Sequence, residues 1–350
     1  MNDWTFFRRV LIASAVVAFA FLLWRLADAL LLVFGAVLIG LLLSGACDTI
    51  HRATSMPRGL ALAFIVLLII GIFAGVGSLF GTQISLQLVD LWQRLPGAID
   101  SFEARLGLGD VSGRLMQQLQ ANTGNILFEI TSWAGLVLNG VANAVLLLAG
   151  AIYLAAEPQL YRDGALKLVP PAQRPQIAET LDFSAAALRQ WLLGQLIAVL
   201  LIGATVAIGT YFIGLPAPLA LGMVAGLGEF IPYAGPIVAA VPSILLAFTQ
   251  SWTHVLLTLG LILVVQQLES YVITPLIQRR MVSLPPVISL FAIVCFGLLF
   301  GPLGVLFATP LAVFILVVVN NLYVRGLLEE PAEVPGEKQA LQEKREKAGA

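Results

Sequence analysis

Charge is scarce in this sequence: Asp, Glu, Lys and Arg make up 11% of its 350 residues, against 59% hydrophobic ones, and mean hydropathy is +0.95. Soluble domains carry about 25% charged residues, so a soluble enzyme and a soluble nucleic-acid binder are excluded, and an integral membrane protein is required. A bias of charge is missing too. The formal net charge of −1 gives no polybasic footprint for DNA, RNA or anionic lipid, leaving the bilayer as the partner that composition demands. Cysteine is rare; Cys47 and Cys295 both sit in apolar runs, so a disulfide framework and a cysteine-rich metal site are excluded. His-Glu-x-x-His, Gly-x-Ser-x-Gly and Walker A sequences do not occur, so zinc hydrolysis, serine acyl transfer and direct ATP use have no motif support, and no cofactor is implied.

What the chain does have is long apolar runs. They predict an all-α polytopic integral membrane protein with about six full spans, over 10–24, 29–46, 60–80, 134–156, 191–213 and 255–274. Arg8-Arg9 before the first run has the outline of a signal peptide, but a second run follows Asp28 in place of a polar domain, so the first is read as a retained span. Residues 1–81 thus hold three spans. From 82 to 133 polar and apolar residues interleave, and Ile84, Leu88, Leu91, Trp92 and Leu95 recur at helical spacing. This predicts amphipathic extracytoplasmic helices that rest on the bundle or, over 82–132, offer a surface for a homo-oligomer. Residues 134–190 hold the fourth span and a further amphipathic helix through Ile177, Leu181, Ala185 and Leu188. With a cytoplasmic N-terminus, Arg52, Arg58, Arg162, Lys167, Arg174 and Arg189 all fall inside, as the positive-inside bias requires. The charged tail, 329–350, has no apolar face and is expected to be disordered and cytoplasmic.

Between these, 191–328 is the informative unit. Residues 215–248 and 284–317 superpose at an offset of sixty-nine: Leu215-Pro216 falls on Leu284-Pro285, Gly228 on Gly297 and Gly235 on Gly304, with Pro242 one residue off Pro310. Each copy carries helix breakers at its middle, Glu229-Phe230-Ile231-Pro232-Tyr233-Ala234-Gly235-Pro236 and Phe300-Gly301-Pro302-Leu303-Gly304. The half-helices on either side are too short to span comfortably, which predicts two Pro/Gly-broken re-entrant hairpins in an inverted repeat. Broken helices in such repeats leave backbone groups and dipole ends free to bind polar solutes, and this points to transport.

Ionisable groups at membrane depth are the first site candidates. Glu229 stands at the first break. Glu269 follows Gln266 and Gln267 in the 255–274 span, where Gln266, Ser270 and Thr274 share one helix face by fourfold spacing. Either carboxylate is suited to hold Na⁺ transiently; no resident metal is expected. Packing alone also accounts for polar side chains in such a span. Asn139, Asn143, Asn320 and Asn321 read as interhelical hydrogen-bonding groups or as uncharged ligands for a hydroxylated solute, Arg189 and Gln190 as a snorkelling anchor or an attractor of anions, and His254 as an interfacial anchor in preference to a proton relay.

These segments carry a resemblance. Glu229-Phe230-Ile231-Pro232-Tyr233-x-Gly235-Pro236, then Gln266-Gln267-Leu268-Glu269 with Thr274-Pro275, then Phe300-Gly301-x-x-Gly304 with Pro310, in that order and spacing, resemble the autoinducer-two exporter (AI-2E) family of bacterial permeases. Tyr271 stands where many relatives carry Asn, and Leu284 where many carry His. The resemblance implies a multi-pass inner-membrane protein exporting a small polar solute such as an autoinducer-two-type signal, or exchanging Na⁺ or Li⁺ for protons. It also puts Pro232, Gly235, Pro236, Gly301, Gly304 and Pro310 among the candidate site residues. As different-class readings, Gly107-Leu108-Gly109-Asp110 matches the Gly-x-Gly-Asp of intramembrane aspartyl proteases, but no second mid-membrane Asp completes a dyad; a membrane scaffold without transport has no need of broken helices and buried Glu.

Overall fold

A computed structural model describes residues 25–54, 56–106, 143–231, 235–273 and 285–348, together with 7, 11, 14, 18, 21 and 22, and the side chains of most of them. Most of the first apolar run, all of 107–142, Pro232 and Thr274 lie outside the described residues, as do the side chains of the stripe from Ile84 to Leu95. Among the described residues all regular structure is helical.

Helix α1, Ala27–Thr54, has Asp28 in its first turn and His51 and Arg52 in its last, the charge placement that a helix dipole favours. Helix α2 runs from Arg58 to Leu106 without a break. Thr82-Gln83-Ile84-Ser85, where polarity changes, contains nothing that ends a helix, and α2 continues through residue 81. At 49 residues α2 is about 74 Å long, far more than the roughly 40–45 Å of a whole bilayer. Helices α3, Asn143–Ala156, and α4, Pro158–Lys167, meet at an 89° bend. Pro158, which denies its predecessor a helical conformation, accounts for the corner. Helix α5, Arg174–Ile213, joins the expected amphipathic helix and fifth span into one 40-residue element and ends on Gly214 in the left-handed conformation (φ 85°).

The first broken hairpin is α6, Pro218–Gly228, and α7, Gly235–Gln250, followed by α8, Trp252–Leu268, and a π-helical turn over Glu269–Ile273. The second is α9, Pro286–Val318, whose helical path is interrupted at Gly301 (φ 64°, ψ −149°), a conformation that glycine adopts at low cost. Taken as one rod, Val287–Val324 is long and apolar enough to span, yet the chain doubles back at Gly301. Ala292 packs with Ala308 and Ala312, and a Cβ on Gly304 would collide with the carbonyl of Phe296. The hairpin tip is beside α1, since Leu299 and Phe300 share a cleft with Arg25 and Asp28. A shift of sixty-nine residues brings the starts, breaks and ends of the two hairpins into register to within a residue or two. Four described helices are long and apolar enough to cross a membrane, five if the bent α3–α4 pair is one span.

Leu38 of α1, Phe183 and Trp191 of α5 and Val313 and Val317 of α9 form one core; Leu221, Leu246 and Val255 join α6, α7 and α8 in another. Outward-facing residues are apolar, Leu200 and Leu298 being 70% and 84% exposed, as lipid-facing surfaces require and soluble ones avoid. The tail differs from expectation. Glu337–Ala348 is a helix, α10, docked on α5. Val334 and Ala340 are buried against Phe183 and Ala187, two small apolar contacts in a segment whose average composition hides them.

Candidate functional site

Helices α5 and α6 are in backbone contact. In α6, Gly222 and Gly226 are four residues apart, and they meet Gly203 and Val199 of α5 so closely that a Cβ at either would strike a carbonyl oxygen. Small residues at this spacing are how apolar helices approach without a hydrophobic driving force between them. The N-terminus of α6 is capped from outside: Leu219 N–H (3.0 Å) and Ala220 N–H (3.4 Å) donate to Gln87 Oε1 of α2, supplying an acceptor that Ala217 cannot. With α6 held there, its other end reaches Gln195, whose Nε2 donates to the Glu229 carbonyl oxygen (2.8 Å). Gln195 is near the start of the apolar run 191–213, so the hairpin passes beyond the middle of that run and Glu229 lies toward the Arg189 end.

Glu229 and Glu269 line the same cavity, of about 40 Å³. Its walls are Ile202 and Val206 of α5, Ala225 of α6, Ala240 of α7 and Leu261, Ile262 and Val265 of α8; its polar groups are the two carboxylates, Ser243, Thr258 and Gln266. Glu229 Oε2 and Thr258 Oγ1 are buried without a hydrogen-bond partner, an arrangement that costs stability unless a ligand, a proton or water meets them. The volume holds two or three waters or a dehydrated monovalent cation.

Of the predicted candidates, Glu229, Glu269 and Gln266 meet at this cavity. Gln267 and Ser270 are exposed and off it. The fourfold face of Gln266 and Ser270 is lost because the chain turns π-helical at Glu269, a distortion frequent at functional sites. Gly235 and Pro236 start α7, placing the proline where its missing N–H is harmless. Gly301, Gly304 and Pro310 belong to the second hairpin, which packs on α1 and α5; Phe307 and Phe314 meet Phe34 there. Among the described residues none from that hairpin lines the cavity. Asn321 joins helices, donating to Thr180 Oγ1 (2.8 Å). Ser243 and Thr258 are cavity residues that the sequence reading missed. Thr258 was findable: with Leu261, Ile262, Val265, Gln266 and Glu269 it follows the helical period, eleven residues bringing the face round again.

A bundle of apolar helices with a broken hairpin closing a small carboxylate-lined cavity is an arrangement suited to membrane transport. The sequence agrees, matching the AI-2E family transporter profile over residues 12–324. The chain belongs to that family. Similar proteins carry the name "putative transport protein": YueF of Bacillus subtilis, 27% identical over 79% of this chain and 82% of its own length, and YrrI of the same organism, 26% identical over 79% and 81%. A third, from Mycobacterium tuberculosis, is 26% identical over 88% and 86%.

Proposed function

We propose that this protein is a secondary transporter in which Glu229 and Glu269 bind a monovalent cation and protons by turns, so that Na⁺ or Li⁺ is exchanged for H⁺ across a bacterial cytoplasmic membrane. The observation that carries the reading is the convergence of two carboxylates on one cavity of about 40 Å³ with otherwise apolar walls. Like charges so placed repel and are poorly solvated, and a cation or a proton relieves both costs. Thr258, Ser243 and Gln266 add neutral oxygens suited to a hard cation. Energy then comes from an ion gradient, in keeping with a sequence that has no nucleotide motif.

The second reading is export of a small polar organic solute such as an autoinducer-two-type signal, supported by the family's name. It requires a wider cavity than this conformation has. In both readings the N- and C-termini are cytoplasmic. The test is internal pH in proteoliposomes of the purified protein challenged with Na⁺, then Li⁺, then a labelled small hydroxylated signal molecule. Cation-triggered proton flux lost in Glu229→Gln and in Glu269→Gln supports the antiporter. Absence of cation-triggered flux with uptake of the labelled solute replaces it with the second reading. Flux unchanged in both variants removes the carboxylates from the mechanism.

A further inference from the structure

A second cavity, of about 360 Å³, lies where the C-terminal end of α1, the start of α2, α4 and the first half of α5 meet under the tail helix α10. Its lining is charged. Most of this charge is neutralised within the bundle: Arg58 pairs with Asp48 (3.0 Å), and Arg162 donates to both oxygens of Asp182 (2.9 and 3.1 Å). Arg189 differs. Its guanidinium lies against the α1 backbone at Gly45, a position where any side chain would collide with it, and the carboxylate it binds is Glu343 of the tail (3.0 Å). Arg58 Nε is also buried there with no partner.

We propose that this cavity is a binding site for a small carboxylate solute, received by Arg189, and that Glu343 is its built-in competitor. A guanidinium fork matches carboxylate geometry, and Glu343 occupies the place that the carboxylate of a free solute takes. Lys344 of the tail shares Asp182 with Arg162 (2.9 Å), so withdrawal of Glu343 leaves Arg189 as the basic side chain of this lining without a carboxylate. The volume admits a molecule of several heavy atoms, which the inner cavity does not. The two cavities are stacked along α5: six residues separate Arg189 from Gln195, which holds Glu229, a rise of about 9 Å.

The tail does not depend on Glu343 to stay docked. Arg325 donates to both oxygens of Glu337 (2.9 and 2.7 Å), and Val334 and Ala340 are buried. Glu343 is thus presented to Arg189 at the high effective concentration of a short tether, of millimolar order, and a free carboxylate has to outcompete it.

The experiment is calorimetric titration of the purified full-length protein with succinate at constant ionic strength, for wild type, Glu343→Gln, and Glu343→Gln combined with Arg189→Gln or Arg189→Lys. Glu343→Gln is expected to bind succinate about fivefold more tightly than wild type, the factor by which a half-exposed ion pair competes. Adding Arg189→Gln is expected to abolish binding, and Arg189→Lys to restore part of it. Equal affinity in wild type and Glu343→Gln, binding that survives Arg189→Gln, or no binding in any variant each overturns the proposal.

Discussion

The contact of α5 with α6 yields a prediction whose sign is set by geometry. A Cβ added at Gly226 would sit 2.7 Å from the Val199 carbonyl oxygen, and one at Gly222 would sit 2.5 Å from the Gly203 carbonyl oxygen and 2.6 Å from the Ala207 Cβ. Carbon and carbonyl oxygen approach to about 3.3 Å, so a single methyl forces the helices apart by about 0.6–0.8 Å. A gap of that size forfeits a quarter to a half of each dispersion contact across the seam. We expect Gly226→Ala to cost about 1–3 kcal/mol, the usual range for overpacking. The control is Gly164→Ala in α4, where an added Cβ meets nothing within 4 Å and the gain in helix propensity is about 0.5–1 kcal/mol. Thermal unfolding of the purified protein, followed by tryptophan fluorescence, reads both. Gly226→Ala is expected to lower the midpoint by about 1–4 °C and Gly164→Ala to raise it slightly. A Gly226→Ala midpoint at or above wild type refutes the reasoning, because the helices would then have room that the structure denies them.

Gln87→Ala removes the acceptor of the Leu219 and Ala220 N–H groups, a loss of about 1 kcal/mol; faster amide exchange at 219–220 is expected, and Gln87→Glu, which keeps the acceptor, is expected to retain protection. Thr258→Val discards a buried hydroxyl that has no partner, so the melting point should hold or rise, while the Na⁺ concentration for half-maximal proton flux rises about fivefold, the value of one neutral hydrogen-bonding ligand. Unchanged cation dependence in Thr258→Val removes that oxygen from the site. The hydrogen bonds from Arg325 hold the Glu337 carboxyl below the ordinary carboxylate range. This contribution to tail docking is therefore fully present above that range and is lost as pH falls through the lowered value. Release of a fluorophore on Leu341→Cys, in a Cys295→Ser background, is expected at acid pH and at higher pH in Arg325→Gln; the same midpoint in both counts against the pair.

The apolar runs and the breakers at Glu229–Pro236 and Phe300–Gly304 were legible because each acts through local conformation alone. Glu229 and Glu269 could be singled out because a carboxylate in an apolar run is conspicuous. Their convergence depends on the approach of α5 to α6 through Gly203, Gly222 and Gly226, and a glycine in a sequence does not say which helix it faces. The continuity of α2 past residue 81 was not legible, because a change of polarity resembles a change of element. Docking of the tail was invisible for a related reason: Arg325 with Glu337 and Val334 with Phe183 are tertiary pairs, and composition averages them away. The position of the second hairpin, on α1 and α5 and away from the inner cavity, likewise follows from aromatic packing around Phe34 that no spacing rule encodes.

The long α2 helix is, mechanically, a lever with its foot in one part of the molecule and its hand on another. At its foot Arg58 is tied to Asp48 and Ser44, and Ala61, Leu62 and Ile65 pack around Cys47. Twenty-nine residues further on, about 44 Å away, Gln87 grips the N-terminus of α6. A tilt of about 5° at the foot carries Gln87 through about 4 Å, beyond the reach of a hydrogen bond. The first hairpin therefore travels with α2 or parts from it: a tilt of α2 either carries α6 along or breaks the hydrogen bonds that Leu219 and Ala220 donate to Gln87.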